Sequence, residues 1–291
     1  MPAATSDAVE VRSATDADLP AIAAITTATG QEDEWAGANP AYVRHLLAHG
    51  RFVVAALAGR VAGFGATEQV GIGAAAVTVL CDLFVDPAAH GQGLGRAMLA
   101  DLWGSAPRKM TFSSLHSHAL PLYTSFGVDA WWPLLYLTGE PAPSPATGGW
   151  SATLSDPAEV AAHEHRWTGR DRLADHAAWA TRPGGACVEV RRGGEVAAVG
   201  TVIGAGAERG IVHLACAPAL DDTAASGAVL AALTVVVDGG GQHAHVCLPG
   251  PHPAVRTLLA AGWRVREFDL FMSSEPGLLD PRRAVPSPGQ A

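Results

Sequence analysis

The stretch VDPAAHGQGLGRAML, Val85 to Leu99, decides the reading of this chain. An apolar, strand-like run ends at Val85. The alternating glycines Gly91, Gly93 and Gly95 follow, and a helical pattern begins. A helix start preceded by glycines presents unpaired N–H groups and the positive end of the helix dipole, an arrangement suited to an anion. Glycine lets the backbone approach such an anion closely and take positive φ. Two familiar phosphate turns do not fit. A Walker A loop needs Gly-Lys-Ser/Thr, and no lysine occurs here; a dinucleotide turn needs G-x-G-x-x-G after the first strand of its unit, whereas this one reads G-x-G-x-G after the fourth. Taken alone, the turn is shared by many ordinary tight loops.

Working outward, the chain repeats itself. VVAALAGRVAGFGAT (Val53–Thr67) and VEVRRGGEVAAVGTV (Val188–Val202) both read as strand, tight turn, strand, with Gly59 and Gly194 135 positions apart, as are Gly65 and Gly200. ALPLYTSFGV (Ala119–Val128) and AVRTLLAAGW (Ala254–Trp263) share the same offset. Between the copies, GEPAPSPATGG (139–149) has the composition of a linker. In the first copy we expect strands at Val9–Arg12, Phe52–Leu57, Arg60–Thr67, Ala75–Val85, Lys109–Ser113 and Trp131–Leu137. Helices are expected from Thr15 or Asp16, from Asn39-Pro40, over about Gly93–Trp103 and over Ala119–Phe126. The class is α+β: two tandem domains, each a mixed, mostly antiparallel sheet with helices on both faces. The expected division is 1–138, a linker at 139–149, 150–274, and a proline-rich tail at 275–291 that lies along the surface or is disordered.

With 291 residues, 48% of them hydrophobic, the chain has room for two cores. Its 28 acidic against 19 basic residues give a net charge of −9 with no basic run, which excludes nucleic acid as an expected partner. An acidic surface suits small cationic substrates. No basic-then-apolar leader and no run of about 18 apolar residues occurs, so a cytoplasmic protein without membrane contact is expected. Cys81, Cys187, Cys216 and Cys247 lie far apart and read as reduced thiols. Lys109 is the sole lysine, a bias of high-GC bacterial genomes.

The turn His90-Gly91-Gln92-Gly93-Leu94-Gly95 resembles the Q/R-x-x-G-x-G/A pyrophosphate turn of the GNAT superfamily of acyl-CoA-dependent N-acyltransferases, with histidine in the leading place. HSHALPLYTSFGV resembles that family's N-x-x-A-x-x-x-Y-x-x-x-G-F segment: Ala119, Tyr123 and Gly127 match, with His116 for asparagine and Val128 for phenylalanine. The order of elements agrees over residues 9–138. The resemblance implies acetyl-CoA as donor, gripped by His90, Gly91, Gln92, Gly93, Leu94, Gly95, Arg96 and His116, and by main-chain N–H groups of Phe84 and Val85 on a splayed fourth strand. It implies direct transfer to a primary amine of a small molecule, with Tyr123 as general acid toward the leaving thiolate. Strand alternation along VTVLCDLFV puts Leu80, Asp82 and Phe84 on one face and Cys81 with Leu83 on the other, and Asp82 is the candidate base. The acidic run QEDEW offers Glu32, Asp33, Glu34 and Trp35 as a wall for a cationic acceptor, against the plainer reading of a solvated loop.

In the second copy, aligning Pro218 with Pro87 sets Asp221, Asp222, Ala224 and Ser226 against His90, Gly91, Gly93 and Gly95, while Leu258 replaces Tyr123 and Gly262-Trp263 keeps the ending. Two carboxylates facing a diphosphate repel it by several kcal/mol, so this copy is expected to have lost the coenzyme. The pairs His116/His118, His163/His165 and His243/His245 lack an evident third ligand, and no metal is expected. Two other readings stand beside the acetyltransferase: a mycothiol-synthase-like enzyme, whose C-terminal copy would carry the reaction, and a non-catalytic acyl-CoA sensor. Monomer and homodimer are both compatible with the sequence.

Overall fold

The computed structural model describes residues 8–30, 41–71, 73, 76–140 and 148–290. The first half runs β1 (Glu10–Ser13), α1 (Leu19–Ala28), α2 (Ala41–His49), β2 (Arg51–Leu57), β3 (Arg60–Val70), β4 (Val77–Val85), α3 (Leu94–Trp103), β5 (Lys109–Ser113), α4 (Ala119–Thr124) and β6 (Asp129–Gly139). The order then repeats as β7 (Trp150–Ser155), α5 (Pro157–Thr168), α6 (Leu173–Ala180), β8 (Ala186–Arg192), β9 (Glu195–Ala205), β10 (Glu208–Cys216), α7 (Asp222–Asp238), β11 (His243–Pro249), α8 (Pro253–Ala260) and β12 (Arg264–Ser273), followed by β13 (Ala284–Val285). Local chemistry explains the junctions. Thr15 N–H donates to the Asp18 carboxylate at 2.9 Å, closing the entry to α1. The β2–β3 hairpin turns through Ala58 and Gly59 at φ 49° and 78°, and its counterpart β8–β9 through Gly193 and Gly194 at 59° and 91°. Paired positive φ is the turn that matches strand twist, and glycine adopts it without strain.

The expectation of two separate sheets is corrected by the pairing. The strands of the described residues form one 13-stranded sheet in the order β1-β2-β3-β4-β5-β12-β6-β11-β10-β9-β8-β7, with β13 against β10. Among the described strands, only β4–β5 and β10–β11 are parallel. The order reads the same from both ends because the last strand of each half crosses over: β12 pairs with β5 of the first half, and β6 with β11 of the second. Alternation cannot say which sheet a terminal strand joins, since either partner satisfies its hydrogen bonds.

Helices α3 and α4 pack on one face, where Met98, Leu99 and Tyr123 meet Leu80 and Met272 of the sheet, and α7 and α8 lie in the core formed with Val188, Val246 and Leu248. On the opposite face α1 and α2 cover Phe52, Val54, Phe64 and Ala66. At the centre of that face Met110, Trp132, Leu134 and Phe271 join strands of both halves, and Leu278 and Leu279 complete the cluster. The segment after β12, expected on the surface or disordered, is therefore packed: apolar side chains at 278, 279 and 285 are buried. No helix among the described residues is long and apolar enough to cross a membrane.

Phe271 is fully buried, sits on the exchanged strand β12 and stacks on Trp132 at 4.3 Å. Phe271→Ala is expected to cost about 3–5 kcal/mol. Because its strand belongs to one half by sequence and the other by pairing, urea unfolding should remain a single transition shifted to lower denaturant; loss of one half alone would contradict the interlocked sheet.

Candidate active site

Strand β4 builds the site by parting from β5. The two pair only at Thr78–Lys109, Val79–Met110 and Leu80–Thr111, and Thr111 Oγ1 clamps the last pair by donating to Leu80 O at 3.0 Å. Beyond Leu80 a cleft opens between the strands, with no strand among the described residues on that side of Leu83–Val85. On its other edge β4 pairs with β3, where the register slips between Ala66–Asp82 and Thr67–Leu80, so that Cys81 is an extra, bulged residue. The bulge corrects the expected facing. Leu80 packs with Leu83 and Val85 under α3, whereas Cys81 and Phe84 pack under α1 and α2. An inserted residue shifts the two-residue alternation by one, carrying Asp82 to the α1/α2 face with Phe84.

The same geometry selects the main-chain donors. Asp86 N–H donates to Ala62 O at 2.8 Å, and the carbonyls of Asp82 and Phe84 lie against β3 at Gly65 and Gly63. Alternation then turns the amides of Leu83 and Val85 into the cleft. Of the two residues expected to offer main-chain donors, Val85 faces the cleft, whereas the Phe84 backbone is spent on β3 and the Leu83 amide faces the cleft instead.

At the head of the cleft Gly91 and Gly93 have φ of 79° and 85°, the left-handed region that glycine is needed for. Gly93 is the N-cap of α3 and supplies no side-chain cap, so the first-turn amides have no partner from that position. Gly95 has a different reason: a Cβ there would come to 3.4 Å from Leu122 of α4. Gln92 is exposed, and Leu94 anchors the turn in the core. Arg96 is exposed, donates to Ser125 Oγ at 3.0 Å and lies over Phe126, which joins α3 to α4. His90 Nε2 stands 3.1 Å from Val85 O, and its ring is about 6.0 Å from His116 and 6.1 Å from His118. The fold thus gathers three imidazoles beside the glycine turn.

Tyr123 enters from α4, buried and packed against Trp103 at 5.8 Å. Its hydroxyl makes no hydrogen bond to a described residue. Burial, then the negative charges of Asp82 and Asp269, push its pKa up, so the phenol keeps its proton at neutral pH. Asp269 comes from exchanged strand β12 and accepts from Tyr136 Oη at 2.7 Å; sequence reading had no reason to place it here. On the opposite face Tyr42 Oη donates to Asp82 Oδ2 at 2.8 Å. Burial and the neighbouring Glu68 and Asp82 charges push the Cys81 thiol up, which disfavours a thiolate nucleophile beside Asp82. Glu32, Asp33, Glu34 and Trp35 lie outside the described residues.

The second half carries the same cleft in a closed form. Its strand β10 has the matching bulge between Ile211 and His213, so His213 stands where Asp82 does. The turn before α7 is three residues shorter than that before α3, which corrects the sequence alignment: Asp221 is itself the N-cap, equivalent to Gly93, and its carboxylate accepts from Ala224 N–H at 2.7 Å. The anion place is taken by the chain's own carboxylate. A groove of about 940 Å³ lies outside this turn between α7 and α8, lined by Asp222, Arg256 and Arg282.

A buried charged chain, unseen in the sequence, links the halves on the α1/α2 face. Glu164 lies 2.9 Å from His176 Nε2, 3.0 Å from His213 Nε2 and 3.3 Å from Arg172 Nε. Arg172 continues to Asp175 at 2.9 Å, Asp175 to His45 Nε2 at 2.9 Å, and His45 to Glu68 at 3.0 Å. Both trios, Glu164–His176–His213 and His45–Glu68–Asp175, bring ligand atoms within 4.8 Å of one another. Each has a cationic countercharge of its own in Arg172 or protonated His45. Burial pulls His45 down, but its hydrogen bonds with Asp175 and Glu68 more than reverse this and hold it at about 9.

Residues 48–128 match the family described as Acetyltransferase (GNAT) domain. A search of curated proteins found no match. Among solved structures, a putative acetyltransferase from Pyrococcus horikoshii is similar with a TM-score of 0.68 at 15% identity, over 96% of this chain and 92% of that one. A tandem GNAT protein from the clavulanic acid biosynthesis pathway is similar at 0.60 and 14%, over 94% and 100%. A GCN5-related N-acetyltransferase from Sphaerobacter thermophilus is similar at 0.54 and 17%, over 91% and 95%. The structural likenesses establish a shared fold. The domain match covers the stretch that holds the glycine turn and Tyr123.

The His45 shift gives a pH signature for the junction between halves. A histidine whose folded pKa lies near 9 against an unfolded value near 6.5 adds stability that is complete below pH 6.5 and lost as pH rises through 9, on the order of 3 kcal/mol at full effect. Denaturant midpoints of the native protein should fall across that window, and those of His45→Asn should be lower at pH 6 with a flatter profile. Parallel profiles would disprove the assignment.

Proposed function

We propose that residues 1–138, completed by β12, transfer an acetyl group from acetyl-CoA to the primary amine of a small, cationic acceptor. On this reading residues 150–274 form a GNAT-like copy without coenzyme chemistry, and the protein works in the cytoplasm. The observation that carries the proposal is the pair of clefts. One combines an open strand edge with a glycine-formed, uncapped helix start; the other has both features closed by the chain's own atoms.

The diphosphate of the coenzyme would meet the amides at Gly93–Arg96, with Arg96, His90, Gln92 and His116 at the rim. Its extended thioester arm would lie along β4 and accept from Leu83 and Val85 N–H. The neutral amine, arriving from the α1/α2 face, attacks the thioester carbonyl, and the carbon–sulfur bond breaks as the new carbon–nitrogen bond is completed. Asp82 receives the proton from the attacking nitrogen. Tyr123 donates a hydrogen bond to the departing sulfur, which leaves as a thiolate and takes its proton from solvent on release. Since a thiol is ordinarily near 8.5 and the Tyr123 phenol is pushed above its usual 10, the hydrogen bond itself stabilises the thiolate more than complete transfer does.

A mycothiol-synthase-like mechanism requires chemistry in the second copy, where Asp221 caps the helix and Leu258 stands in place of tyrosine. A sensor and a catalyst separate by experiment. With acetyl-CoA and a panel of amines, the protein should release free thiol; binding of acetyl-CoA without thiol release for any amine would make it a sensor. Tyr123→Phe should lower kcat by about 100-fold with acetyl-CoA affinity nearly unchanged. Gly93→Asp copies the closed turn of the second half and should weaken acetyl-CoA binding by roughly 100-fold or more, read by calorimetry.

A further inference from the structure

The cleft between β10 and β11 is occupied. After Ile211–Val246 these strands part, as β4 and β5 do after Leu80–Thr111. Residues 283–285 lie against the freed edge of β10: Cys216 N–H donates to Arg283 O at 3.0 Å, and Ala215 and Leu214 face Ala284 and Val285. Cys216 corresponds to Val85, because Ala217 N–H donates to Ala197 O at 2.8 Å just as Asp86 donates to Ala62. The chain thus fills in its second half the strand-like place left open in the first. The head of this segment is tied to the closed turn, with Arg282 and Arg283 both paired to Asp222.

Its other end reaches the junction between the halves. Gln290 O accepts from Arg172 Nη1 at 2.8 Å and its Oε1 from Trp179 Nε1 at 2.7 Å, and Gln290 is only 3% exposed. The single Tyr42 hydroxyl proton is shared by two acceptors, Asp82 Oδ2 at 2.8 Å and Gly289 O at 3.1 Å. The fit is close enough that a Cβ on residue 289 would stand 2.7 Å from Tyr42 Oη.

We propose that residues 282–290 are a built-in ligand of the second half's cleft, and that through Gly289 and Tyr42 they position Asp82, so the acceptor side of the first half is complete only when this segment is docked. Tyr42 and Gly289 are positioning residues here. The inference rests on the reading of Asp82 as the group that meets the acceptor nitrogen. It also explains why the second copy keeps a cleft at all, since that cleft no longer takes a coenzyme and instead holds the strand that braces its partner's site.

The test removes residues 286–291, leaving β13 and the buried leucines before it, beside Tyr42→Phe and Gly289→Ala in the full chain. With the panel amine of highest turnover, kcat/KM for the amine should fall at least tenfold in the truncated protein and in Tyr42→Phe, while acetyl-CoA affinity, set on the opposite face, stays within twofold. Alkylation of Cys81 by iodoacetamide, followed by peptide mass mapping, provides an acceptor-independent readout. It should be at least tenfold faster after truncation, with the buried Cys187 and Cys216 unchanged. Amine kcat/KM and Cys81 reactivity within twofold of the parent would overturn the proposal. If truncation also exposes Cys187 and Cys216, the fold has opened and the two point variants decide by the same criteria. Asp82→Asn is read separately: parental turnover there sinks the assignment of Asp82, whereas lost turnover there beside unaffected truncation and Tyr42→Phe proteins sinks only the positioning claim.

Discussion

The exchange of β6 and β12 is the constraint on which the rest of the structure depends. Each half needs a strand beside its fifth to cover that edge, and each obtains it from the other. An uncovered edge would leave a row of unpaired amide and carbonyl groups at the centre of the molecule. Exchange satisfies both edges, joins the two cores through Met110, Trp132, Leu134 and Phe271, and brings Asp269 within electrostatic reach of Tyr123. The surroundings of Tyr123 in the first half therefore include atoms from the far end of the chain.

The charged chain from Glu164 to Glu68 reinforces this junction by different physics. Buried ion pairs add little over well-packed apolar residues, yet removal of one member leaves an uncompensated charge. Arg172 is fully buried and touches Glu164, Asp175 and the carbonyl of Gln290, so it binds α5, α6 and the final segment into one arrangement. Such a network specifies how α2 meets α6 more than it raises stability. In the second half the position of Asp82 is held by His213, locked against Glu164 and unavailable to an incoming amine.

The two clefts share a backbone plan and differ in what fills them. A bulge and a parting of parallel strands persist in both halves, because they follow from backbone pairing. The change lies in a few side chains and one short segment. Asp221 satisfies the amides that Gly93 leaves open, and residues 283–285 satisfy the strand edge that Leu83–Val85 leave open. An internal peptide supplies carbonyls at the same spacing as any extended ligand lying along the strand.

The sequence by itself determined the repeat, the α+β class, most elements to within a few residues, the glycine turn, and the loss of that turn and of the tyrosine in the second copy. These are legible because they depend on neighbours a few positions apart: periodicity, capping and glycine's freedom in φ. Tertiary structure alone decided that Asp82 shares the face of Phe84 and not that of Leu80, since alternation cannot register one inserted residue; and that Leu83, not Phe84, turns its amide to the cleft. It decided which sheet β6 and β12 join, because two strands with the same pattern are interchangeable by local rules. It also decided that residues 282–290 are packed and reach Tyr42, a contact across more than two hundred positions for which a proline-rich segment carries no periodic mark. Local order was written in spacing; the site was assembled by pairings between residues far apart along the chain.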